Sequence, residues 1–140
     1  MTSAAQPTVA RGLLDTSVVI ALERLPADLL PEEPAISAIT LAELAAGPHA
    51  TEDEDERARR QDRLQRVESL MEPLPFDAAA ARAYGRVYAV TRTLGRKPRG
   101  ARAIDLLIAA VALANGLPLF TRNADDFDHL QEIGLDLHAV

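Results

Sequence analysis

The chain has no cysteine and no tryptophan, and only three phenylalanines and two tyrosines in 140 residues. Without thiols there are no disulfides and no thiolate metal sites, a usage that suits a reducing compartment. So few rings cannot build a broad platform on which nucleobases stack. No apolar stretch approaches the roughly 20 residues of a membrane-spanning helix, so no membrane association is expected. Met1 to Ala10 is small and polar, with no apolar centre of the signal-peptide kind. Residues 1–10 are therefore read as a flexible N-terminal extension, residues 11–140 as one domain, and the protein as cytoplasmic.

With 48% hydrophobic and 26% charged residues, the chain has the composition of a globular domain rather than a disordered one. Its net charge of −6 argues against coating nucleic acid through bulk electrostatics. The distribution of charge says more. No acid lies between Asp77 and Asp105, an interval that holds Arg82, Arg86, Arg92, Arg96, Lys97, Arg99 and Arg102. Local polarity can thus support a phosphate-binding face on an acidic molecule. The acidic run Glu52 to Glu56 precedes Arg57, Arg59, Arg60, Arg63 and Arg66. Acid first and base later complements the dipole of a solvated helix reaching about Met71.

The pattern along the chain alternates strand and helix. Leu13-Leu14 reads as the end of a strand buried on both faces, with Asp15 where it stops. Thr16 or Ser17 is placed to cap a helix starting near Val18. Pro26, Pro31 and Pro34 punctuate a connection. Ala35 to Ile39 reads as a second strand, and Thr40 to Gly47 as a short helix. Leu74-Pro75-Phe76 suits a third strand, and Asp77 a cap for a helix over 78–94. After the basic turn 95–100, Ala103 to Asn115 is almost wholly apolar, a helix that must be buried, with Asp105 in its first turn. Leu117 to Thr121 reads as a fourth strand, and Leu135 to His138 as an edge strand. This alternation predicts an α/β fold, a parallel sheet with helices on both faces.

Asp15, Glu43, Asp105 and the turn Asn123 to Asp126 share one grammar, since all lie at strand ends or in first helical turns. Right-handed crossovers would gather them along one edge of the sheet. Each also has a private explanation. Asp15 could merely cap its helix, Thr40-x-x-Glu43 matches a capping box, Arg102-x-x-Asp105 an ion pair, and Asp126 a cap. Two carboxylates about 5 Å apart repel by roughly 3 kcal/mol at an effective dielectric near 20. A cation is the simplest relief, and oxygen-only ligands point to Mg²⁺ or Mn²⁺. His49, His129 and His138 have no ligand spacing and are read as surface residues.

These stretches carry a resemblance. Leu13-Leu14-Asp15-Thr16-Ser17, Ile39-Thr40-Leu41-Ala42-Glu43-Leu44, Ala103-Ile104-Asp105-Leu106-Leu107-Ile108-Ala109-Ala110 and Thr121-Arg122-Asn123-Ala124-Asp125-Asp126-Phe127 resemble the PIN-domain ribonucleases. More narrowly, the chain is similar to the VapC toxins of bacterial toxin–antitoxin modules. The resemblance implies a PIN-like three-layer α/β/α sandwich over residues 11–140, a homodimer and a VapB-like antitoxin. It implies Mg²⁺-dependent endonucleolytic cleavage of RNA, commonly tRNA or ribosomal RNA. Asp15, Glu43 and Asp105 match the acids that hold metal in that family. Many members have an acid where this chain has Asn123, which makes Asp126 the next candidate and leaves one or two metal ions open. Thr16 and Thr121 would orient carboxylates or water.

The expected chemistry is in-line attack of water on an RNA phosphodiester, with Mg²⁺ on Asp15 and Asp105 and with Glu43 and Asp126 completing the shell or taking the proton. Arg96, Lys97, Arg99 and Arg102 are candidates for phosphate contacts. A catalytically idle PIN-like module that binds RNA or protein is the first alternative. A haloacid-dehalogenase-like phosphotransferase is the second, but it wants an acid where Ser17 stands.

Overall fold

Successive strand residues face opposite sides of a sheet, and in this chain both sides are apolar. The computed structural model describes residues 9–140, and in it β1 (Arg11–Leu14), β2 (Glu33–Ser37), β3 (Pro73–Leu74), β4 (Leu119–Thr121) and β5 (Leu137–Ala139) form one sheet. The strand order is β3-β2-β1-β4-β5 and each pairing is parallel. Leu13, Ala35 and Leu119 point to one face and pack with α4 (Ala78–Thr93) and α5 (Ala101–Asn115). Leu14, Ile36 and Phe120 point to the other face, covered by α1 (Thr16–Ala21), α2 (Ala38–Ala46) and α3 (Glu54–Leu70). This is the three-layer α/β/α arrangement expected from the alternation. Small residues on α4, Ala80 and Ala83, let it lie close against α5, whose Leu106, Ile108 and Val111 are buried. Each such aliphatic side chain contributes about 1.5–3 kcal/mol when buried.

Gly12 is required by a close approach. A Cβ there would stand 2.8 Å from Cδ1 of Phe120 and 3.2 Å from Cγ of Pro31. The Phe120 ring is hemmed in from the other side too, stacked on His138 with centroids 4.7 Å apart and planes inclined by 14°. His138 is thus a half-buried stacking partner, not the surface residue expected.

Several boundaries also move. β2 takes in Glu33 and Pro34 and ends at Ser37, so Ala38 and Ile39 start a helix instead of finishing a strand. Pro34 is tolerated because β3 pairs only with Ile36 and Ser37, so its missing N–H breaks no bond on that side. β3 is Pro73–Leu74, and Phe76 packs into the core beyond it. β4 starts at Leu119 and β5 at Leu137. Of the expected N-terminal extension, residues 1–8 lie outside the described residues. Val9 and Ala10 do not belong to a loose tail, because their carbonyls accept the N–H groups of Glu32 and Glu33 at 3.0 and 2.9 Å. Among the described residues no helix is long and apolar enough to cross a membrane.

Candidate acidic site at the carboxyl edge of the sheet

The strand order places the site. The chain runs outward from β1 through β2 to β3, then returns to add β4 on the opposite side of β1. Connections therefore leave the carboxyl ends of β1 and β4 in opposite directions, the topology at which open parallel sheets form a ligand crevice. Asp15 follows β1 directly, only 2% exposed, its N–H donating to the Phe120 carbonyl at 3.0 Å. Its Oδ1 accepts from the Val18 N–H at 3.1 Å and from the Ser17 hydroxyl at 2.6 Å. Asp15 itself is therefore the cap, and α1 starts at Thr16, earlier than the expected Val18. Ser17, freed from capping, accepts the Arg122 N–H at 3.2 Å and ties the segment after β4 to the acid after β1. No pattern in the sequence singles out that bridge, which spans two distant segments.

Glu43 lies in the middle of α2. The helix is capped by Ser37, whose Oγ accepts the Thr40 N–H at 3.1 Å, so the capping box expected between Thr40 and Glu43 does not form. Glu43 instead accepts the Thr16 hydroxyl proton at 2.5 Å, and Thr16 Oγ1 also lies 3.1 Å from Oγ1 of Thr40. Thr121 is fully buried and accepts the Asn123 N–H at 3.0 Å, so it shapes the turn rather than touching a carboxylate.

Asp105 sits two residues deeper in α5 than expected, beyond its first turn. The helix starts at Ala101, after Gly100 at φ 62°, a left-handed conformation that glycine adopts freely. Among the described residues Arg102 makes no ion pair with Asp105, and its charge is the last of the influences on that carboxyl. Burial, then the charges of Asp15, Asp126 and Glu43, push the Asp105 pKa from 3.8 up to about 6, with Arg102 opposing. Asp126 ends a short 3₁₀ turn, Ala124–Asp126, and makes no capping bond to the 3₁₀ segment Asp128–Ile133 that follows. The capping box, the ion pair and the Asp126 cap are thus absent among the described residues, while Asp15 caps its helix and also belongs to the acidic group.

Three chain segments and one buried helix therefore bring four carboxylates into one electrostatic neighbourhood. Among the described residues no three acidic or imidazole groups stand close enough together to grip an ion as they are. The donor chemistry nevertheless fits a hard divalent cation. All four groups offer oxygen, and burial together with the charges of the other three acids raises the Asp105 pKa by more than Arg102 lowers it.

On the basic turn, Lys97 and Arg99 are exposed, whereas Arg96 and Arg102 are half-buried. The Arg96 guanidinium donates to the Asp125 carbonyl at 3.2 Å and to His129 Nδ1 at 3.1 Å. His129, read from the sequence as a surface residue, has a side chain only 3% exposed. Burial and then the Arg96 charge lower its pKa from 6.5. Helical spacing could have flagged neither partner, because the contact joins residues 33 apart in the chain.

The family described as PIN domain matches residues 12–133. Ribonuclease VapC5 of Mycobacterium tuberculosis is 43% identical over 123 residues, covering 86% of this chain and 87% of that protein. Ribonuclease VapC of Rickettsia bellii is 32% identical over 129 residues, covering 86% and 91%. Among solved structures, a member of the VapBC family of toxin–antitoxin systems, VapBC-5 from Mycobacterium tuberculosis, superposes with a TM-score of 0.79. It is 40% identical, covering 94% of this chain and 98% of that one. VapBC2 of Rickettsia felis, solved bound to a DNA fragment from its promoter, gives 0.74 at 27% identity, covering 93% and 98%.

Proposed function

We propose, from the premise that this chain belongs to the PIN-domain family and within it to the VapC ribonucleases, that it is the ribonuclease toxin of a VapBC-type pair and cuts RNA at the acidic crevice. A VapB-like antitoxin is its partner, in keeping with the VapBC complexes it superposes on. The finer reading is Mg²⁺-dependent endonucleolytic hydrolysis, with tRNA or ribosomal RNA as substrate and a homodimer as the working form. One observation carries it. Asp105, its pKa raised to about 6 first by burial and then by the charges of Asp15, Asp126 and Glu43, shares its surroundings with three acids brought there from distant parts of the chain.

Asp15 and Asp105 would hold the ion, with Glu43 and Asp126 beside them. When bound, a divalent cation offsets charge on the phosphate and acidifies water. The protein's own part is placement. Helix α1 and Ser17 fix one oxygen of Asp15, and Thr16 fixes one oxygen of Glu43. Glu43 or Asp126 accepts the proton of the attacking water. Lys97 and Arg99, with Arg96 and Arg102 behind them, give the RNA backbone a cationic approach on an otherwise acidic molecule.

The test is an RNA cleavage assay with total tRNA and with ribosomal RNA, in Mg²⁺ or Mn²⁺ and in EDTA. Cutting with the ion, none in EDTA and none by Asp105→Asn is expected. Binding of RNA without cutting under all conditions would favour the catalytically idle module, a reading for which the open spacing of the acids speaks.

A further inference from the structure

Asp126 differs from the other three acids in its support. Asp15 follows a central strand, and Glu43 and Asp105 stand inside α-helices, whereas Asp126 is carried by a three-residue 3₁₀ turn without a side-chain cap. That turn is pinned from outside. The Thr91 hydroxyl, buried on α4, donates to the Val87 carbonyl at 2.8 Å and so can only accept from His129 Nε2, 2.9 Å away. His129 Nδ1 must then be the bare nitrogen, because the group facing it at 3.1 Å is a guanidinium, which only donates. The same Arg96 Nη1, with two protons, donates its second bond to the Asp125 carbonyl. Only the neutral imidazole with its proton on Nε2 satisfies all four bonds.

We propose that His129 and Arg96 act as a positioning clamp, riveting the turn that carries Asp126 to α4 and so setting where the fourth carboxylate stands opposite Asp105. Arg96 then serves the acidic site from behind instead of meeting RNA directly, and the exposed bases Lys97 and Arg99 are left for phosphate. The charged groups around the ring are Arg96, Asp128, Arg102 and Glu132. Asp128 stands 3.9 Å from Arg96 and 4.0 Å from His129, too far to replace either bond. The clamp rests on the reading of the crevice as a cation site, and its test separates the two.

Amide hydrogen exchange of Asp126 and Phe127, whose N–H groups close the turn onto Asn123 and Ala124 at 3.0 Å each, reads the clamp without metal or substrate. In Arg96→Ala and in His129→Phe, exchange at these two amides should rise about tenfold while α4 and α5 stay protected. Mn²⁺ affinity by calorimetry should weaken about tenfold, as for loss of a group that orients a ligand. His129→Asn, which keeps an acceptor near the Nδ1 position, should recover most of both. Unchanged exchange in Arg96→Ala overturns the clamp, and so does faster exchange with unaltered Mn²⁺ affinity. Equal Mn²⁺ binding by the wild type and Asp105→Asn overturns the cation site instead, and the exchange data still decide whether the turn is clamped.

Discussion

The Thr16 hydroxyl donates to Oε1 of Glu43 across 2.5 Å, joining the first turn of α1 to the middle of α2 over 27 residues of chain. A hydrogen bond to a charged group contributes about 1.5–3 kcal/mol when sheltered and less where water competes. Glu43 is exposed, so the bond matters more for aim than for stability. Thr16→Val should lower RNA cleavage about tenfold with a thermal midpoint within about 2 °C of wild type. Thr16→Ser should restore the rate. A Thr16→Val enzyme of full activity would show that Glu43 needs no such guide.

Asp105 gives a pH signature. Its pKa rises from 3.8 in the unfolded reference to about 6 in the fold. Between those values the folded state binds the proton more tightly, so stability falls as pH climbs through this window and reaches its lower plateau above it. Asp105→Asn removes the penalty. In EDTA the variant should melt about 2–4 °C above wild type at pH 7.5, and the gap should close below pH 4. Scanning calorimetry across pH checks both the sign and the window.

A cation that binds only the folded chain stabilises it by mass action, by about 2.7 kcal/mol at a concentration one hundred times its dissociation constant. Mn²⁺ should therefore raise the wild-type midpoint by several degrees and leave Asp15→Asn unmoved, because Asp15 is the most deeply buried of the four acids. Equal shifts in both proteins would place the ion elsewhere.

Gly12→Ala should be costly although it adds one methyl group. The new carbon meets the Phe120 ring, which His138 prevents from retreating. Overpacking of this kind costs about 1–3 kcal/mol. Urea denaturation should show a lower midpoint with an unchanged slope. Phe120→Leu in the same chain should return part of the loss, since it removes the obstructing ring.

The layered fold was legible because it rests on local rules. Alternating strand residues such as Leu13 and Leu14, the proline breaks, and the glycine that closes the apolar helix at Asn115 each act over a few residues. The acids of the proposed site could be picked out for the same reason, as each follows closely on a strand end or a helix start in the chain, although Glu43 and Asp105 lie deeper in their helices than the first turn. Boundaries slipped where two hydroxyl or acidic residues competed for one cap. Asp15 displaced Thr16 and Ser17, and Ser37 displaced Thr40, because the winner is whichever side chain the preceding strand delivers to the open N–H groups.

The sequence by itself determined the parallel sheet and its two buried faces, both consequences of periodicity and chain direction, and it marked the acids near the ends of strands. Tertiary structure alone decided what those residues lean on. Ser17 under Arg122, Thr16 against Glu43, and His129 between Thr91 and Arg96 are bonds between segments 27 to 105 residues apart. Hydrogen bonds have a reach of about 3 Å and no memory of sequence separation, so only the folded packing could say which polar atoms would meet.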